Sequence, residues 1–238
     1  MNNEPIGLRR RWLKRKYGLT LDKFYNMYSR QNGKCLCCQE TVEALDLNVD
    51  HCHKTGVVRG LLCANCNTVL GRVKEKDDIL YRMSAYLSRD PSKILVYVVG
   101  SLRNEEVKKV SAVLRSNNSL DVFDDYMAAG PEADDYWKKY ENDRGRGYKE
   151  ALNGRSAKHV FYYDQSFLSL ADAVVVVLPA GKSCMIEAGF AAASNKPVIF
   201  LRDSEDGRYD VMKKFATSMV DTVEEVESLI MEYCSKYL

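Results

Sequence analysis

Residues 173–190 read AVVVVLPAGKSCMIEAGF, a valine-rich apolar run that leads into a segment expected to form a helix. A continuous apolar run of this kind suits a strand that is buried on both faces of a parallel sheet. Two further runs have the same character, ILVYVVG at 94–100 and KPVIFL at 196–201. The C-terminal part is therefore predicted to be a doubly wound, flavodoxin-like α/β domain with parallel strands.

The segments between these runs carry helical signals. One face of the first predicted helix is apolar and comprises Val107, Val110, Val113 and Leu114. Asp221, followed three residues later by Glu224, is a pair typical of a helix N-terminus and predicts the start of the last helix. Strands and helices therefore alternate, as a parallel sheet requires.

Glycines and polar residues follow two of the predicted strands. GSLRN begins at Gly100, directly after the first run, and PAGKS occupies 179–183 after the central run. Ligands of such domains lie beyond the carboxyl ends of the strands, and a helix N-terminus there favours an anion. The candidate ligand-binding residues in these segments are Gly100, Ser101, Gly181, Lys182 and Ser183.

Length and charge indicate two modules. The chain has 238 residues, of which 46% are hydrophobic and 29% charged, an ordinary globular composition. Residues 1–90 carry 16 basic against 10 acidic side chains, whereas residues 91–238 carry 19 against 23. This asymmetry predicts modules with different partners. A helical pattern ends in SAYLSRDPSK (84–93), so we predict domains at 1–91 and 92–238.

Targeting signals are not evident. The N-terminal MNNEPIGLRRRWLKRKYG is charged rather than apolar, unlike a secretory signal. The longest apolar run, 173–180, is much shorter than the roughly 20 residues of a membrane helix. We therefore expect a cytoplasmic protein without a membrane partner.

Six of the eight cysteines lie between positions 35 and 66. In a cytoplasmic chain, clustered paired cysteines indicate a metal more often than disulfides. Cys35-x2-Cys38 followed by Cys63-x2-Cys66 has the spacing of two zinc knuckles, which predicts a structural Zn2+ on four thiolates. Coincidental buried cysteines are the weaker alternative, and Cys37 is interpreted as a bystander.

The stretch VDHCHKTG at 49–56 lies between the two cysteine pairs. If the thiolates take zinc, Asp50 can offer oxygen to a Mg2+-like cation, and His51 has an imidazole suited to activating water. Asn67 follows Cys66, so the knuckle fixes the direction of its amide. Asp50 and Asn67 are therefore predicted to share one Mg2+ or Mn2+, as in metal-assisted phosphodiester hydrolysis.

The segments KYGLTLDKFYNMYSRQNGKCLCCQE (16–40) and LNVDHCHKTGVVRGLLCANCNTVLG (47–71) resemble the recombination endonuclease VII branch of the HNH nucleases. The resemblance covers roughly residues 16–90, and the combination DHxH…RGLLCxxCN is specific. It implies a ββα-metal fold with a structural zinc and an endonuclease activity on DNA.

The same resemblance implies roles for individual residues. It places the catalytic cation on Asp50 and Asn67, the general base at His51, and a supporting phosphate-facing role at His53. Cys52 departs from the family, which more often has Asp there, and strand alternation is expected to turn Cys52 away from the cation.

Two alternatives stay open for this module. It is either a working nuclease or an inactive zinc finger that only binds DNA. The basic segment LRRRWLKRKYG at 8–18 either contacts phosphates or forms a solvated helix face. The nuclease motif favours catalysis and phosphate contact.

Residues 94–202 resemble the nucleoside 2-deoxyribosyltransferase superfamily, which is itself similar to TIR-like and other N-glycosidase domains. The resemblance rests on YVVGSL, AAGPEADDYW and YDQSFLSLADAVVVVLPAGKSCMIEAGFAAASNKPVIFL. It implies that Glu187 attacks or stabilises the anomeric carbon of a ribosyl group. Asp164 then orients the base or sugar, and Tyr97 lines the pocket with Gly100.

The second resemblance has one departure. Deoxyribosyltransferases usually have an Asp six residues before the catalytic Glu, where this chain has Gly181. The loop continues with Lys182 and Ser183, which favour a phosphorylated ligand such as a nucleotide over a free nucleoside. N-glycoside hydrolysis, or binding alone, is therefore favoured over transfer.

Together these features predict a metal-dependent HNH DNA endonuclease coupled to a nucleotide-binding or N-glycoside-cleaving domain. Such a protein suits phage defence or phage nucleic-acid metabolism. The alternative is a nucleotide N-glycosidase whose HNH module only binds DNA, and a weaker possibility is a sensor in which Glu187 binds ligand without turnover. Both families commonly form oligomers, so we expect a homo-oligomer.

Overall fold

The computed structural model describes residues 4–201 and 211–234. Its helices are α1 (Glu4–Tyr17), α2 (Leu21–Arg30), α3 (Ala64–Arg72), α4 (Asp77–Ser88), α5 (Glu106–Arg115), α6 (Ala133–Asp143), α7 (Tyr148–Ala151), α8 (Arg155–Leu170), α9 (Lys182–Ala193) and α10 (Val223–Cys234). Its strands are β1 (Asn48–His51), β2 (Val58–Leu62), β3 (Ile94–Val99), β4 (Leu120–Phe123), β5 (Ala173–Val177), β6 (Val198–Leu201) and β7 (Ser218–Val220). Short 3-10 helices span Asp125–Ala129 and Val211–Phe215. Contacts divide the chain into two compact units, Met1–Asp77 and Asp78–Leu238.

The N-terminal unit is a β-hairpin followed by a helix, with α1 and α2 preceding it. Strands β1 and β2 pair antiparallel, and their register shifts between Asp50 and His51. Helix α3 starts directly after β2 and packs against both strands. The apolar core is small and comprises Leu13, Leu19, Phe24, Cys35, Leu47, Val49, Leu61 and Leu62. This is the ββα arrangement that the endonuclease VII resemblance implies.

The C-terminal unit contains a five-stranded sheet in the order β4-β3-β5-β6-β7, and every pair is parallel. The three apolar runs of the sequence form the three central strands. The chain leaves β3 towards β4 on one side and returns to β5 on the other, so the strand order reverses between β3 and β5. The predicted flavodoxin-like α/β fold is confirmed, and ligands of such folds lie at the carboxyl edge of the strands where the order reverses.

Both faces of the sheet are covered. Along β3, Ile94, Val96 and Val98 pack on the side of α5 and α10. The alternate residues Leu95, Tyr97 and Val99 pack on the side of α8 and α9, together with Ala85 of α4. Side chains alternate between the two faces of a strand, which explains why these strands read as continuous apolar runs.

Two boundaries differ from the sequence prediction. Helix α4 packs within the C-terminal unit, although it precedes the division predicted after residue 91. The N-terminus of α10 is capped by Thr222, whose hydroxyl accepts from the backbone of Glu225, and not by the predicted Asp221–Glu224 pair. The Glu225 carboxylate in turn accepts a hydrogen bond from the backbone N–H of Thr222 at 3.0 Å. Among the described residues, no helix combines the length and apolar character needed to cross a membrane.

Candidate functional site

Four sulfur atoms converge in the N-terminal unit. The Sγ atoms of Cys35, Cys38, Cys63 and Cys66 lie within 4.8 Å of one another. Zinc–sulfur bonds of about 2.3 Å in a tetrahedron separate the sulfurs by about 3.8 Å. The Cys38 and Cys63 sulfurs are 3.9 Å apart. The cluster therefore fits a structural zinc, and Cys37 is exposed and outside it.

The thiols of this cluster differ in how readily they ionise. Burial raises the pKa of Cys35, but backbone N–H groups of Cys63, Cys38 and Cys37 outweigh it and leave that pKa at about 6. Burial, followed by the neighbouring cysteines, raises the pKa of Cys66 well above its ordinary value. Four thiolates this close repel one another, so the set needs a cation to ionise completely.

Cys63 also connects the cysteine cluster to helix α3. Its Sγ accepts from the backbone N–H of Cys66 at 3.4 Å and caps the helix. Asn67 is the next residue and lies half-buried in the first turn of α3. The cluster therefore holds the helix end that carries Asn67.

Asp50 is nearly buried on β1, with 8% of its surface exposed. Arg59 of β2 donates to both carboxylate oxygens, from Nε at 2.6 Å and from Nη2 at 2.9 Å. Asp50 and the amide of Asn67 are the hard oxygen donors that Mg2+ prefers, so the donor types fit such an ion. The ion pair between Asp50 and the Arg59 guanidinium is a feature that sequence analysis did not predict.

The histidines lie at the end of β1. The ring of His51 contacts Tyr17 and His53 edge-on, with centroids 5.1 and 5.0 Å apart. The backbone N–H of His53 donates to Glu75 at 3.3 Å, and Nδ1 of His53 lies 3.6 Å from the same carboxylate. Strand β1 ends at His51, and Cys52 therefore lies outside it. The alternation of side chains along a strand, which was expected to orient Cys52, does not apply to Cys52.

Glu75 is, after Arg59, a second residue of this centre that sequence analysis missed. Its Oε1 accepts from Nη2 of Arg59 at 2.9 Å. Glu75 and its neighbour Lys74 both have left-handed backbone conformations, with φ of 56° and 55°. Non-glycine residues adopt this region at a cost, and such strain concentrates at functional sites. No motif of the sequence indicates either feature.

Helix α1 presents its basic residues in two ways. Arg9 donates to the backbone oxygens of Leu45 and Leu47 at 2.6 Å and stacks on Phe24. The exposed basic residues of the helix are Arg10, Arg11, Lys14, Arg15 and Lys16. Arg9 therefore stabilises the unit, and the others form a positive surface.

In the C-terminal unit, Glu187 of α9 accepts a hydrogen bond from the hydroxyl of Tyr97 on β3, at 3.4 Å. Asp164 of α8 interacts electrostatically with Glu187 and with Asp125, whose carboxylate accepts from Tyr163 at 2.9 Å. We call Glu187, Asp164 and Asp125 the carboxylate cluster. The sequence predicted the first two of these residues and Tyr97, but not Asp125 or Tyr163.

Burial controls the protonation of this cluster. Burial, then the Glu187 and Asp125 carboxylates, raise the pKa of Asp164 to about 7. Burial also raises the pKa of Glu187, and the hydrogen bond from Tyr97 acts in the opposite direction. One proton is therefore readily held at this cluster near neutral pH.

The strand ends place the remaining candidates. A Cβ on Gly100 would lie 2.2 Å from a methyl carbon of the buried Val107, so the chain needs glycine there. Gly181 caps α9, and Lys182 and Ser183 begin that helix with exposed side chains. Asn104, which the sequence did not single out, joins these segments by donating to the backbone oxygen of Pro179 at 3.3 Å.

Comparison with known proteins agrees with the N-terminal motif. Residues 10–89 match the protein-family model described as recombination endonuclease VII. Over 86 residues, the chain is 41% identical to the Gene 59 protein of Mycobacterium phage D29 and to that of Mycobacterium phage L5. These matches cover 35% of this chain, and 50% and 51% of the two phage proteins. The chain thus spans about half the length of the curated relatives it matches.

Two solved structures resemble the other part of the chain. A 2-deoxyribosyltransferase from Bacillus psychrosaccharolyticus aligns with a TM-score of 0.38 and 18% identity, covering 56% of this chain and 90% of that one. A conserved protein from Enterococcus faecalis V583 aligns with a TM-score of 0.37 and 16% identity, covering 59% of this chain and 98% of that one.

The family match confirms the endonuclease VII resemblance, the parallel five-stranded sheet confirms the predicted α/β fold, and the cysteine cluster fits the predicted zinc. The roles of the individual site residues stay predictions. So do the catalytic Mg2+ or Mn2+, the nucleotide ligand, the homo-oligomer and the cytoplasmic location.

Proposed function

We propose that this protein is a metal-dependent DNA endonuclease whose N-terminal domain is coupled to a C-terminal nucleotide-binding or N-glycoside-cleaving domain. The observation that carries the proposal is the position of Asp50 and His51 at the end of β1, with α3 and its Asn67 held by the cysteine cluster. The match to endonuclease VII supports DNA as the substrate.

The residues have separate tasks in the proposed cleavage. His51 accepts a proton from the attacking water, and His53 supports the phosphate. Asp50 and Asn67 would hold the divalent cation, which when bound stabilises the leaving oxygen. The exposed basic residues of α1 attract the DNA backbone and position it without reading its sequence.

A plasmid nicking assay tests the nuclease. Full-length protein with Mg2+ or Mn2+ is expected to nick supercoiled DNA, with and without added nucleotides as separate arms. His51→Ala is expected to reduce the rate by about 100-fold or more, the scale of a lost general base. His159→Ala is the matched control, since it removes an exposed imidazole of the other unit.

Two results would contradict the nuclease. Absence of nicking in every metal and nucleotide arm would favour the alternative in which this module only binds DNA. Equal activity of His51→Ala and the wild type would remove His51 from the mechanism.

The carboxylate cluster supports a second activity, cleavage of a nucleotide N-glycosidic bond. Asp164, with a pKa of about 7, can carry a proton to the departing base nitrogen as the bond to the anomeric carbon breaks. The Glu187 carboxylate bonds to, or stabilises, that carbon. Water then supplies a hydroxyl group to the carbon, any bond from the carbon to Glu187 breaks to release the carboxylate, and the remaining proton of the water returns to Asp164. Lys182 and Ser183 at the start of α9 favour a phosphorylated substrate.

Mass spectrometry of a nucleotide panel tests this activity. Wild-type protein is expected to release free base from at least one nucleotide, and Glu187→Gln is expected to abolish the release. Glu105→Gln, an exposed carboxylate on the same unit, is the control. Binding without any base release would instead leave a sensor, the weakest of the three possibilities.

A further inference from the structure

Arg59 occupies the position at Asp50 where a catalytic cation is proposed. Its guanidinium contacts both oxygens of Asp50, at 2.6 and 2.9 Å. A bidentate ion pair of this kind is strong, and its positive charge repels a second cation. A divalent ion at Asp50 therefore has to displace Arg59.

Glu75 provides the displaced guanidinium with a second acceptor. The same Nη2 that bonds to Asp50 already donates to Oε1 of Glu75 at 2.9 Å. The Glu75 side chain is only 16% exposed, so little water competes for it. The guanidinium is thus shared between two carboxylates and can shift towards Glu75 without losing all its bonds.

The backbone fixes Glu75 in this position. The N–H of Glu75 donates to the backbone oxygen of Leu70 at 3.1 Å, at the end of α3. The preceding Lys74 and Glu75 itself hold left-handed φ angles, which neighbouring structure has to maintain. Helix α3 carries Asn67 near its start and positions Glu75 at its end.

We propose that Arg59 and Glu75 are positioning residues that form a cation-dependent switch at Asp50. Without a divalent cation, Arg59 neutralises Asp50 and keeps the carboxylate paired. When a cation binds Asp50, the guanidinium transfers to Glu75. This inference rests on the cation site of the proposed function.

Mn2+ binding to the zinc-loaded full-length protein, measured by electron paramagnetic resonance of the free ion, tests the switch. Arg59→Gln is expected to bind Mn2+ roughly tenfold more tightly, because the competing charge-assisted pair is gone. Glu75→Gln is expected to bind roughly tenfold more weakly, because the guanidinium loses its alternative acceptor. The Mn2+ affinity is expected to rise in Arg59→Gln and to fall in Glu75→Gln. General loosening of the site would instead weaken Mn2+ binding in both variants.

Arg59→Lys separates the switch from simple charge. Lysine keeps the positive charge but cannot hold both Asp50 oxygens, so Mn2+ affinity should rise above that of the wild type. Affinity equal to the wild type in Arg59→Lys would overturn the switch. So would unchanged affinity in Arg59→Gln or Glu75→Gln.

Two control variants and one assay complete the experiment. Arg82→Gln and Glu43→Gln remove single charges at exposed or partly exposed positions and are expected to keep the wild-type affinity. Nicking is measured in parallel. Nicking without the Mn2+ pattern would overturn the switch alone, whereas the Mn2+ pattern without nicking would overturn the nuclease and leave the switch standing.

Discussion

The N-terminal unit holds its candidate residues with thiols and ion pairs, whereas the C-terminal unit holds them on an apolar sheet. Asp50 is fixed by Arg59, and α3 is fixed by the cysteine cluster. Glu187 and Asp164 instead lie above strands whose side chains are almost fully buried. A small core needs cross-links to hold polar residues in place, but a large core does this by packing alone.

This difference also separates the electrostatics of the two sites. In the N-terminal unit a negative charge is neutralised by a neighbouring arginine. In the C-terminal unit, no cationic side chain among the described residues pairs with Glu187 or Asp164, and burial raises their pKa values instead. The first arrangement suits cation binding, and the second suits proton transfer.

Removal of zinc is the largest expected effect and tests the cross-linking directly. A strong chelator, or Cys63→Ser, should unfold the N-terminal unit, since structural zinc contributes about 10 kcal/mol or more to small domains. Hydrogen exchange by mass spectrometry should show β1 and β2 losing protection while β3, β5 and β6 keep theirs. Cys37→Ser is the control and should change neither unit. If β1 kept its protection from hydrogen exchange without zinc, the cysteine cluster would not be what stabilises the N-terminal unit.

The Asp164→Asn substitution is expected to have the next largest effect on the free energy of unfolding, and it tests the burial of the Asp164 carboxylate. The pKa of Asp164 is raised to about 7, so folding favours its protonated form and the unit loses stability as the pH rises towards 7. The variant should therefore stabilise the C-terminal unit by about 2–4 kcal/mol at pH 8, and by little below pH 4. Urea unfolding at several pH values measures this.

Asp221→Asn is the matched control for this substitution, because Asp221 is exposed. It should not change the pH dependence of unfolding. Equal stabilisation by Asp164→Asn at all pH values would contradict the role assigned to burial.

Gly100→Ala tests the packing at the end of β3 and is expected to have a smaller effect. The added Cβ would meet a methyl carbon of Val107 at 2.2 Å, so the unit should lose about 1–3 kcal/mol of its free energy of unfolding. Gly189→Ala is the control, since its Cβ meets nothing within 4 Å. Thermal unfolding that is equally affected by both substitutions would contradict the tight contact.

Tyr97→Phe is the smallest expected effect. The hydroxyl of Tyr97 donates to Glu187 at 3.4 Å and lowers its pKa, so the variant should raise the pKa of Glu187 further. The change should correspond to about 0.5–1 kcal/mol, read from a carboxyl carbon NMR titration. Tyr126→Phe is the control, because that hydroxyl donates to the backbone of Val98. A lower pKa of Glu187 in Tyr97→Phe would contradict the stabilising role of the Tyr97 hydroxyl for the Glu187 carboxylate.

The central part of the sheet could be predicted from the sequence because its strands are buried on both faces. The edge strands β4 and β7 were not identified, because Leu120–Phe123 and Ser218–Val220 contain no long apolar run. The cysteine spacing likewise predicted the cluster, since metal geometry restricts which spacings close a site.

The ion pairs around Asp50 could not be predicted in the same way. Arg59 contacts Asp50 across the hairpin, and Glu75 contacts Arg59 from the turn after α3. The periodicity of the sequence does not indicate such side-chain contacts. The register shift between Asp50 and His51 also leaves no signal in the sequence. Local patterns predict elements, whereas side-chain partners depend on how those elements pack.

Helix α4 decides where this chain can be cut and rejoined with other domains. Ala85 packs under the sheet, and Tyr81 bonds to His159 of α8 at 2.9 Å. A recombination breakpoint in the polar stretch 88–93 would leave the sheet without one of its covering helices. A breakpoint in the turn at 73–76 would keep both cores whole. Glu75 lies in that turn, so a breakpoint there would also change the proposed cation-dependent switch at Asp50.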